Sequence, residues 1–273
     1  MKVIYEPKGR AREYSPLALN VYLQCNHGCF YCYVPQSLHI NSEEYHTRWP
    51  KPREGIFVYA WDDIEEMRKN KDDRQVLLSF AGDPYCSSEI EKQTTGLIIS
   101  KLVGFEIPFA VLTKSHHVLR DIEEFKKARE FCKIGFSFTT INHFLAQEWE
   151  PNASPPDMRI AALKVLHLEG IRTFVSLEPA IEYPESIAAT IAVLPWTDEF
   201  KLGMLNHVKY EKTSRYTATQ YLHEQIHYLR ANNKKIFVKE DLRNAAPEIE
   251  LTDVEKDMDY WNVRRGKDNW EGN

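Results

Sequence analysis

Residues 19–33 read LNVYLQCNHGCFYCY, and this stretch decides what the rest of the chain must build. Its first part, residues 19–24, is β-rich and predicts a strand, and three cysteines follow it with the spacing C-x3-C-x2-C: Cys25, Cys29 and Cys32. Thiolates this close together on one loop can converge on one centre of soft metal. Gly28 allows the backbone to curl tightly between the first two cysteines. The stretch therefore predicts a metal centre directly after an early strand.

Two kinds of metal centre are compatible with three neighbouring cysteines. A zinc site commonly needs four ligands, so His27 or a distant residue such as Cys86, Cys132 or another histidine would have to complete it. A [4Fe–4S] cluster held by three cysteines keeps one iron open, and a catalytic site requires such an open position. The chain has five cysteines in all, an odd number that argues against a disulfide framework.

Outward from this stretch, short β-rich runs alternate with helical patterns. The runs after residues 19–24 span residues 76–80, 109–114, 133–139, 172–178, 201–205 and 235–238. Several are nearly continuous apolar runs, which is typical of parallel strands that are covered on both faces. Strands that alternate with helices predict βαβ units with right-handed crossovers. The expected fold class is α/β, a partial (β/α)6-type TIM barrel with a short C-terminal extension.

The barrel is expected to occupy residues 1–240, and the extension residues 241–273. After Lys239 the chain turns polar, residues 252–255 predict the start of one last helix, and residues 267–273 indicate a frayed end. The extension is expected to pack on the barrel, because no linker separates it from the rest of the chain.

Composition and charge exclude several classes of protein. Of the 273 residues 43% are hydrophobic, which is enough for a real core, and no run of about 18 apolar residues predicts a membrane span. The start of the chain lacks the apolar region of an export signal, so we expect a cytoplasmic protein. The formal net charge of −5 means that binding to DNA would need a local basic patch. The basic and aromatic residues that group together lie near the C-terminus: Arg264, Arg265 and Lys267, beside Trp261 and Trp270.

Polar motifs stand at the ends of the later strands or shortly after them. They are Gly82-Asp83-Pro84-Tyr85, Thr113-Lys114-Ser115, Ser137-Phe138-Thr139-Thr140, Glu150-Pro151 and Ser176-Leu177-Glu178-Pro179. Active sites of α/β barrels lie at this edge of the sheet. Together with the cysteine triplet, this ordered set resembles the radical S-adenosylmethionine (SAM) superfamily, and within it the spore photoproduct lyase-like branch, over about residues 16–185.

The resemblance implies an enzyme with two cofactors, a [4Fe–4S] cluster on the three cysteines and SAM. In that superfamily the open iron binds the amino and carboxylate groups of SAM, and reductive cleavage produces a 5′-deoxyadenosyl radical that abstracts hydrogen from a substrate. An electron donor such as a flavodoxin or ferredoxin is implied as a partner, and the resemblance suggests a nucleic acid or nucleoside as substrate. A zinc-binding interaction module and an iron–sulfur accessory protein that binds no SAM are the alternatives.

Five residues are expected to contact SAM. Gly82 and Asp83 resemble the loop whose backbone receives the amino group of SAM, although Gly-Asp-Pro is also a good turn sequence. Lys114 and Ser137 occupy positions that face the carboxylate and ribose of SAM in this branch, and a lysine that ends an apolar strand is costly to bury without an anion. Arg159 either pairs a carboxylate through two hydrogen bonds or lies on a solvated helix face.

Four further residues are candidates for the chemistry itself. Glu178 is expected at the mouth of the barrel, where it either contacts cofactor or substrate or forms a salt bridge at the strand end. Tyr31 and Tyr33 either relay hydrogen, as the resemblance implies, or pack over the cluster. Cys86 is expected near the top of the second strand, where its thiol either reaches the site or belongs to a helix start without a chemical role. Spore photoproduct lyase has a further cysteine just before the aspartate of this strand, where this chain has Phe80, and the difference argues against repair of thymine dimers. Two further pairs are candidate contacts for substrate: Asn206 with His207, and Lys239 with Glu240.

Overall fold

The sheet of the protein follows the order of the chain. The computed structural model describes residues 1–206, 208–211 and 215–264. Its strands are β1 Ile4–Tyr5, β2 Leu17–Leu19, β3 Val76–Leu78, β4 Phe109–Thr113, β5 Cys132–Ser137, β6 Thr173–Ala180, β7 Glu199–Met204 and β8 Lys235–Val238. Strands β2 to β8 are parallel, each paired with the next, while β1 pairs antiparallel with β2. The sheet is not closed, which confirms the predicted partial α/β barrel.

Helices follow the strands along the chain and cover the sheet. They are α1 Val34–Ser37, α2 Ser42–Thr47, α3 Ile56–Lys69, α4 Glu89–Lys92, α5 Thr94–Gly104, α6 Ile122–Lys127, α7 His143–Trp149, α8 Pro156–Leu168, α9 Tyr183–Val193, α10 Ala218–Ala231 and α11 Glu240–Ala245. Short 3₁₀ helices span Gly9–Glu13, His116–Asp121, Leu194–Trp196 and Asp259–Trp261. Helix α10 shows the general pattern, since Leu222, Ile226 and Leu229 recur at helical spacing and are buried. None of the helices in the described part of the chain is long and apolar enough to cross a membrane.

Six of the seven predicted strands are present within two residues of their predicted bounds, whereas the first one overlaps its predicted range, residues 19–24, only at Leu19. It stops at Leu19 rather than at residue 24, because Asn20 takes over the next hydrogen bonds of the ladder. The side-chain oxygen of Asn20 accepts from the backbone N–H groups of Phe80 and Ala81 at 2.8 and 2.9 Å. The main chain is then free to leave the sheet, so the cysteines lie on a loop that begins five residues earlier than the sequence predicted.

The prediction that one last helix begins at residues 252–255 is wrong. These residues form a turn in which the Glu255 carboxylate accepts from the Thr252 N–H at 2.8 Å and from the Arg230 guanidinium at 2.8 and 2.6 Å. The carboxylate is therefore used to hold the extension on α10. The division of the chain at residue 240 stays a prediction, and residues 267–273 lie outside the described part.

Side chains fill the end of the barrel where the parallel strands begin. Trp261 is buried there, with its ring 6.0 Å from that of Phe237, and its carbonyl accepts from the ammonium of Lys133. Above it, the Lys201 ammonium lies 4.0 Å from the centre of the Tyr14 ring. Burial lowers the pKa of Lys201 well below its ordinary value. Because this half of the barrel is filled, space for a ligand is left at the opposite end.

Candidate active site

A cavity of about 480 Å³ lies at the carboxyl ends of the parallel strands. Cys25, Cys29 and Cys32 all line it. Each of the strands β3 to β8 also contributes a lining residue near its carboxyl end, which are Phe80, Lys114, Ser137, Glu178, Asn206 and Lys239. The structure thus brings the cysteine loop and the polar strand ends together around one space, as expected for the active site of a barrel.

The cysteine loop is clamped onto the segment that follows α7. The Asn152 N–H donates to the carbonyl of His27 at 2.9 Å, and the Asn152 side chain donates to the carbonyl of Asn26 at 3.0 Å. Gly28 has a φ of +72°, and a Cβ there would lie 3.0 Å from Cγ of Pro151. Gly28 therefore serves both the turn and the close approach of the two segments.

A buried ion pair supports the loop from behind. The Tyr31 hydroxyl donates to the carboxylate of Glu150, and Nη2 of Arg159 lies 2.7 Å from the other carboxylate oxygen. Nη1 of Arg159 also donates to the carbonyl of Ser137 at 2.8 Å. Burial would raise the pKa of Glu150, but the charges of Arg159 and Lys114 outweigh it and hold that pKa below its ordinary value. Glu150 and Arg159 thus connect Tyr31, on the cysteine loop, to Ser137 at the end of β5.

Arg159 does not lie where the sequence suggested. It is fully buried, so the alternative of a solvated helix face is wrong, and it is not among the residues that line the cavity. Its guanidinium is occupied by Glu150 and Ser137. The prediction that Arg159 binds a ligand is therefore corrected, because its side chain positions Glu150. The sequence alone did not assign a role to Glu150.

Gly82 packs directly against the cysteine segment. Its φ is +123°, and a Cβ at this position would lie 2.8 Å from the carbonyl oxygen of Tyr22 and 3.0 Å from that of Gln24. Both neighbours are backbone atoms, which cannot move aside as a flexible side chain would. Gly82 therefore sets the distance between the β3 loop and the start of the cysteine loop.

The carboxylate of Asp83 ties the ends of two strands together. It accepts from the Thr113 hydroxyl at 2.6 Å, from the backbone N–H of Lys114 at 2.7 Å and from that of Tyr85 at 2.8 Å. Nδ1 of His27 lies 3.7 Å from it. The side chain of Asp83 is thus engaged within the protein, and the backbone of the loop is what remains for a ligand.

Lys114 supplies a positive charge next to the thiols. Its ammonium lies 5.5 Å from the centre of the Tyr31 ring, and it lines the cavity together with Ser137. Burial would lower the pKa of Lys114, but Cys29, Glu150 and Asp83 outweigh it and raise the pKa above its ordinary value. The ammonium therefore stays charged and can meet an anionic group in the cavity.

The three thiols fit an iron–sulfur cluster better than a single zinc ion. Burial raises the pKa of all three, that of Cys29 to about 12, so metal binding must displace their protons. Within the described ranges, no three His, Cys, Asp or Glu side chains are grouped so that they could hold one metal ion. A tetrahedral zinc site requires such a group, whereas a four-iron cluster offers each cysteine its own iron.

Another part of the cavity wall carries a second polar group. Oε1 of Glu178 lies 2.5 Å from the Lys239 ammonium, and the Tyr14 hydroxyl donates to the same carboxylate. A Cβ on Gly203 would lie 2.9 Å from Cδ of Glu178 and 3.1 Å from Cδ of Lys239, so this glycine makes room for the pair. Nothing in the local sequence around Tyr14 indicated a site residue, whereas Lys239 follows from its place at the end of a strand.

Phe80 and Tyr33 complete the wall, and Cys86 does not reach it. The Tyr33 hydroxyl donates to the carbonyl of Phe80 at 3.3 Å, and the Phe80 ring lies 5.9 Å from that of Tyr14. Cys86 is fully buried in the apolar core and lines no part of the cavity. The chain turns after Asp83, whose carbonyl accepts from the Cys86 N–H at 3.2 Å, so the predicted access of this thiol to the site is corrected.

The two pairs of residues predicted to contact substrate are only partly placed at the cavity. Asn206 lines the cavity, and its side chain donates to Asp241, while His207 lies outside the described part of the chain. Lys239 lines the cavity, whereas Glu240 is not among the lining residues.

An open α/β barrel with a cysteine triplet at the carboxyl ends of its strands defines a class of proteins that carry an iron–sulfur site in a barrel mouth. The sequence profile of the Radical SAM superfamily matches residues 19–181 of the chain, which include the cysteine triplet and strands β3 to β6. This protein belongs to the Radical SAM superfamily, whose members use a [4Fe–4S] cluster and SAM. The superfamily and the cofactors predicted from the sequence are thereby confirmed.

One relative and two solved structures are similar to this chain. An uncharacterized protein of Methanocaldococcus jannaschii is 26% identical over 193 residues, which cover 69% of this chain and 70% of that protein. Streptococcus suis SuiB bound to S-adenosylmethionine has a TM-score of 0.61 at 17% identity, covering 86% of this chain and 53% of SuiB. A mutant of spore photoproduct lyase with dinucleoside spore photoproduct has a TM-score of 0.63 at 14% identity, covering 86% and 78% of the two chains. At these identities the structures show a shared fold.

Proposed function

We propose that this chain is an enzyme in which one electron from a donor breaks the bond between sulfur and C5′ of SAM, releasing methionine and a 5′-deoxyadenosyl radical that abstracts hydrogen from a substrate. The observation that carries this proposal is the set of residues around one cavity. Three thiols, a charged lysine and a backbone loop that only glycine allows all meet there. The superfamily membership supplies the cofactors that such a set would hold.

The residues of the cavity divide into a cofactor side and a substrate side. Cys25, Cys29 and Cys32 would hold the cluster, and Lys114 would bind the carboxylate of SAM through its ammonium. The Gly82 loop would present backbone groups to the amino group of SAM, since the side chain of Asp83 is already engaged.

Ser137 would face the ribose of SAM, and it lines the cavity beside the end of β5. On the substrate side, Glu178 would orient the substrate, held in place by Tyr14 and Lys239. Tyr33 and Phe80 would shield the reacting atoms from water, because both side chains line the same wall.

We propose a nucleic acid or nucleoside as the substrate class. The similarity to spore photoproduct lyase supports it, because a mutant of that enzyme with dinucleoside spore photoproduct matches this chain with a TM-score of 0.63. In the described part of the chain the cavity is lined by no thiol besides the three predicted cluster ligands. The proposed reaction therefore does not return hydrogen from a cysteine on the cavity wall.

A flavodoxin or ferredoxin is the proposed electron donor, and the cytoplasm the proposed location. All five cysteines are free of disulfides, which fits a reducing compartment. A cluster with an open iron also needs a low-potential donor in the same compartment.

The test is anaerobic reconstitution with iron and sulfide, followed by dithionite and SAM, with 5′-deoxyadenosine and methionine measured by chromatography. We expect both products from the wild-type protein and neither from Cys29→Ala. Cys132→Ala is the matched control, because it makes the same change at a buried cysteine outside the cavity, and it should keep the activity.

Three results would contradict the proposal, each in its own way. A single zinc ion without acid-labile sulfide would identify a zinc-binding module. A cluster without 5′-deoxyadenosine above the Cys29→Ala level would identify an iron–sulfur accessory protein. Equal loss in the Cys29→Ala and Cys132→Ala variants would show that the cavity cysteines have no special role.

A further inference from the structure

The cavity and the whole chain differ in the sign of their charge. The chain has a formal net charge of −5, whereas four of the cavity-lining side chains are Lys or Arg and two are Asp or Glu. They are Lys8, Arg10, Lys114, Lys239, Asp83 and Glu178. A basic cleft in an acidic protein attracts anions and concentrates them at its mouth.

Two of these cations already have a partner or a proposed task. The Lys239 ammonium lies 2.5 Å from Glu178 and 3.6 Å from Glu13, so its charge is neutralised within the wall. Lys114 stands beside the thiols and is the proposed partner of the SAM carboxylate. Lys8 and Arg10 are left without a task in binding the two cofactors.

Lys8 and Arg10 lie on a short segment that we call the N-terminal strap, residues 8–14. Its inner end is anchored, because Oε1 of Glu13 accepts from the Glu240 N–H at 2.8 Å and the Tyr14 hydroxyl donates to the Glu178 carboxylate. Its outer end is exposed and lines the mouth of the cavity. Because Glu13 and Tyr14 anchor the strap, the two basic side chains are held at the entrance of the cavity.

The charges at the outer end of the strap are weakly compensated. Nη1 of Arg10 lies 3.8 Å from the carboxylate of Asp241, too far for a hydrogen bond, and half of its side chain is exposed. Lys8 forms no ion pair with any residue in the described ranges. Both side chains can thus turn to an incoming anion without breaking a close contact.

We propose that Lys8 and Arg10 bind a phosphate group of the substrate at the cavity mouth, so that the substrate is a phosphate ester. The inference rests on the proposed function, whose substrate class it narrows. A guanidinium matches two phosphate oxygens at once, and an ammonium adds a compact charge beside it. The rest of the substrate then extends inward, past Phe80 and Glu178 toward the cofactor side.

The test measures binding to the cluster-loaded protein with SAM under anaerobic conditions. The probe is a fluorescein-labelled single strand of ten nucleotides, followed by anisotropy, with thymidine 5′-monophosphate and thymidine as competitors. We expect the Lys8→Gln/Arg10→Gln variant to bind the strand at least tenfold more weakly. The slope of log affinity against log salt should fall by about 0.7, since both side chains bind the same phosphate and each phosphate contact on a single strand contributes about 0.7. Competition by thymidine, which has no phosphate, should stay unchanged.

The matched control is Lys71→Gln/Arg129→Gln, which removes the same charge from exposed residues that precede β3 and β5, at the far end of the barrel. It should bind the strand like the wild type. If thymidine 5′-monophosphate binds as tightly as the strand, the site takes a free nucleotide. If the strand binds much more tightly than the monophosphate, the site takes a polynucleotide. Both outcomes support the phosphate site.

Three results would overturn the inference: no binding of any phosphate probe to the wild type, equal weakening in both double variants, or unchanged binding after loss of Lys8 and Arg10. The same preparations are assayed for 5′-deoxyadenosine. Its absence from the wild type would refute the proposed function. Its presence together with any of the three results would refute the phosphate site alone.

Discussion

Replacing Gly82 by alanine tests whether the β3 loop sets the position of the cysteine segment. A residue with a side chain at a φ of +123° costs about 1–3 kcal/mol in backbone strain. The new Cβ would also lie 2.8 Å from the carbonyl oxygen of Tyr22 and 3.0 Å from that of Gln24, and overpacking of this kind costs about 1–3 kcal/mol more. The expected loss of unfolding free energy is therefore roughly 2–6 kcal/mol.

Gly170→Ala separates the two contributions. Gly170 has a φ of +72°, and a Cβ there would meet no atom within 4 Å, so it should lose about 1–2 kcal/mol from strain alone. Urea denaturation of the metal-free proteins measures both losses. After reconstitution, Gly82→Ala should bind less iron and form less 5′-deoxyadenosine, because the start of the cysteine loop must shift, while Gly170→Ala should match the wild type in both. If Gly82→Ala were as stable as Gly170→Ala and held a full cluster, the proposed contact between the two loops would be refuted.

Three further predictions follow from buried groups. Glu150→Ala should cost about 3–5 kcal/mol in urea denaturation because it leaves a buried guanidinium unpaired, and Glu150→Gln, which keeps an acceptor for Tyr31 but not the charge, should recover only part of this loss; a loss below about 1 kcal/mol for Glu150→Ala would contradict the pairing. Cys86→Ala should lose about 1 kcal/mol of stability and keep the rate of 5′-deoxyadenosine formation, and a lost rate would return this thiol to the site. Burial would raise the pKa of Glu255, but hydrogen bonds from Arg230 and the Thr252 N–H hold this pKa below its ordinary value. The stabilisation that the ionised carboxylate gives the fold is therefore present above about pH 4.5 and is lost as the pH falls through the lower pKa of the folded state. Glu255→Gln should therefore melt at a lower temperature than the wild type at pH 7, and a difference that persists at pH 2.5 would contradict this sign.

Much of the fold was predictable because its signals are local. Each strand from β3 to β8 is a short, mostly apolar run, and each was predicted within two residues of its observed bounds. Strand β2 was misplaced because its end depends on Asn20, which replaces ladder bonds with hydrogen bonds to residues 60 and 61 positions away. Strand β1 has only two residues, too few for any periodic pattern.

The sequence by itself determined the cysteine triplet, the barrel and the side of the barrel that carries the site. The spacing of the cysteines is a local property, and the carboxyl ends of parallel strands meet at one edge, so Lys114, Ser137 and Glu178 could be placed together without a structure.

Only the tertiary structure decided which groups support these residues. It placed Tyr14 on Glu178 across 164 residues, joined Tyr31 to Glu150 across 119, and turned Cys86 into the core. Such pairs carry no pattern along the chain, because a hydrogen bond depends on where two side chains meet in space and not on how far apart they stand in sequence.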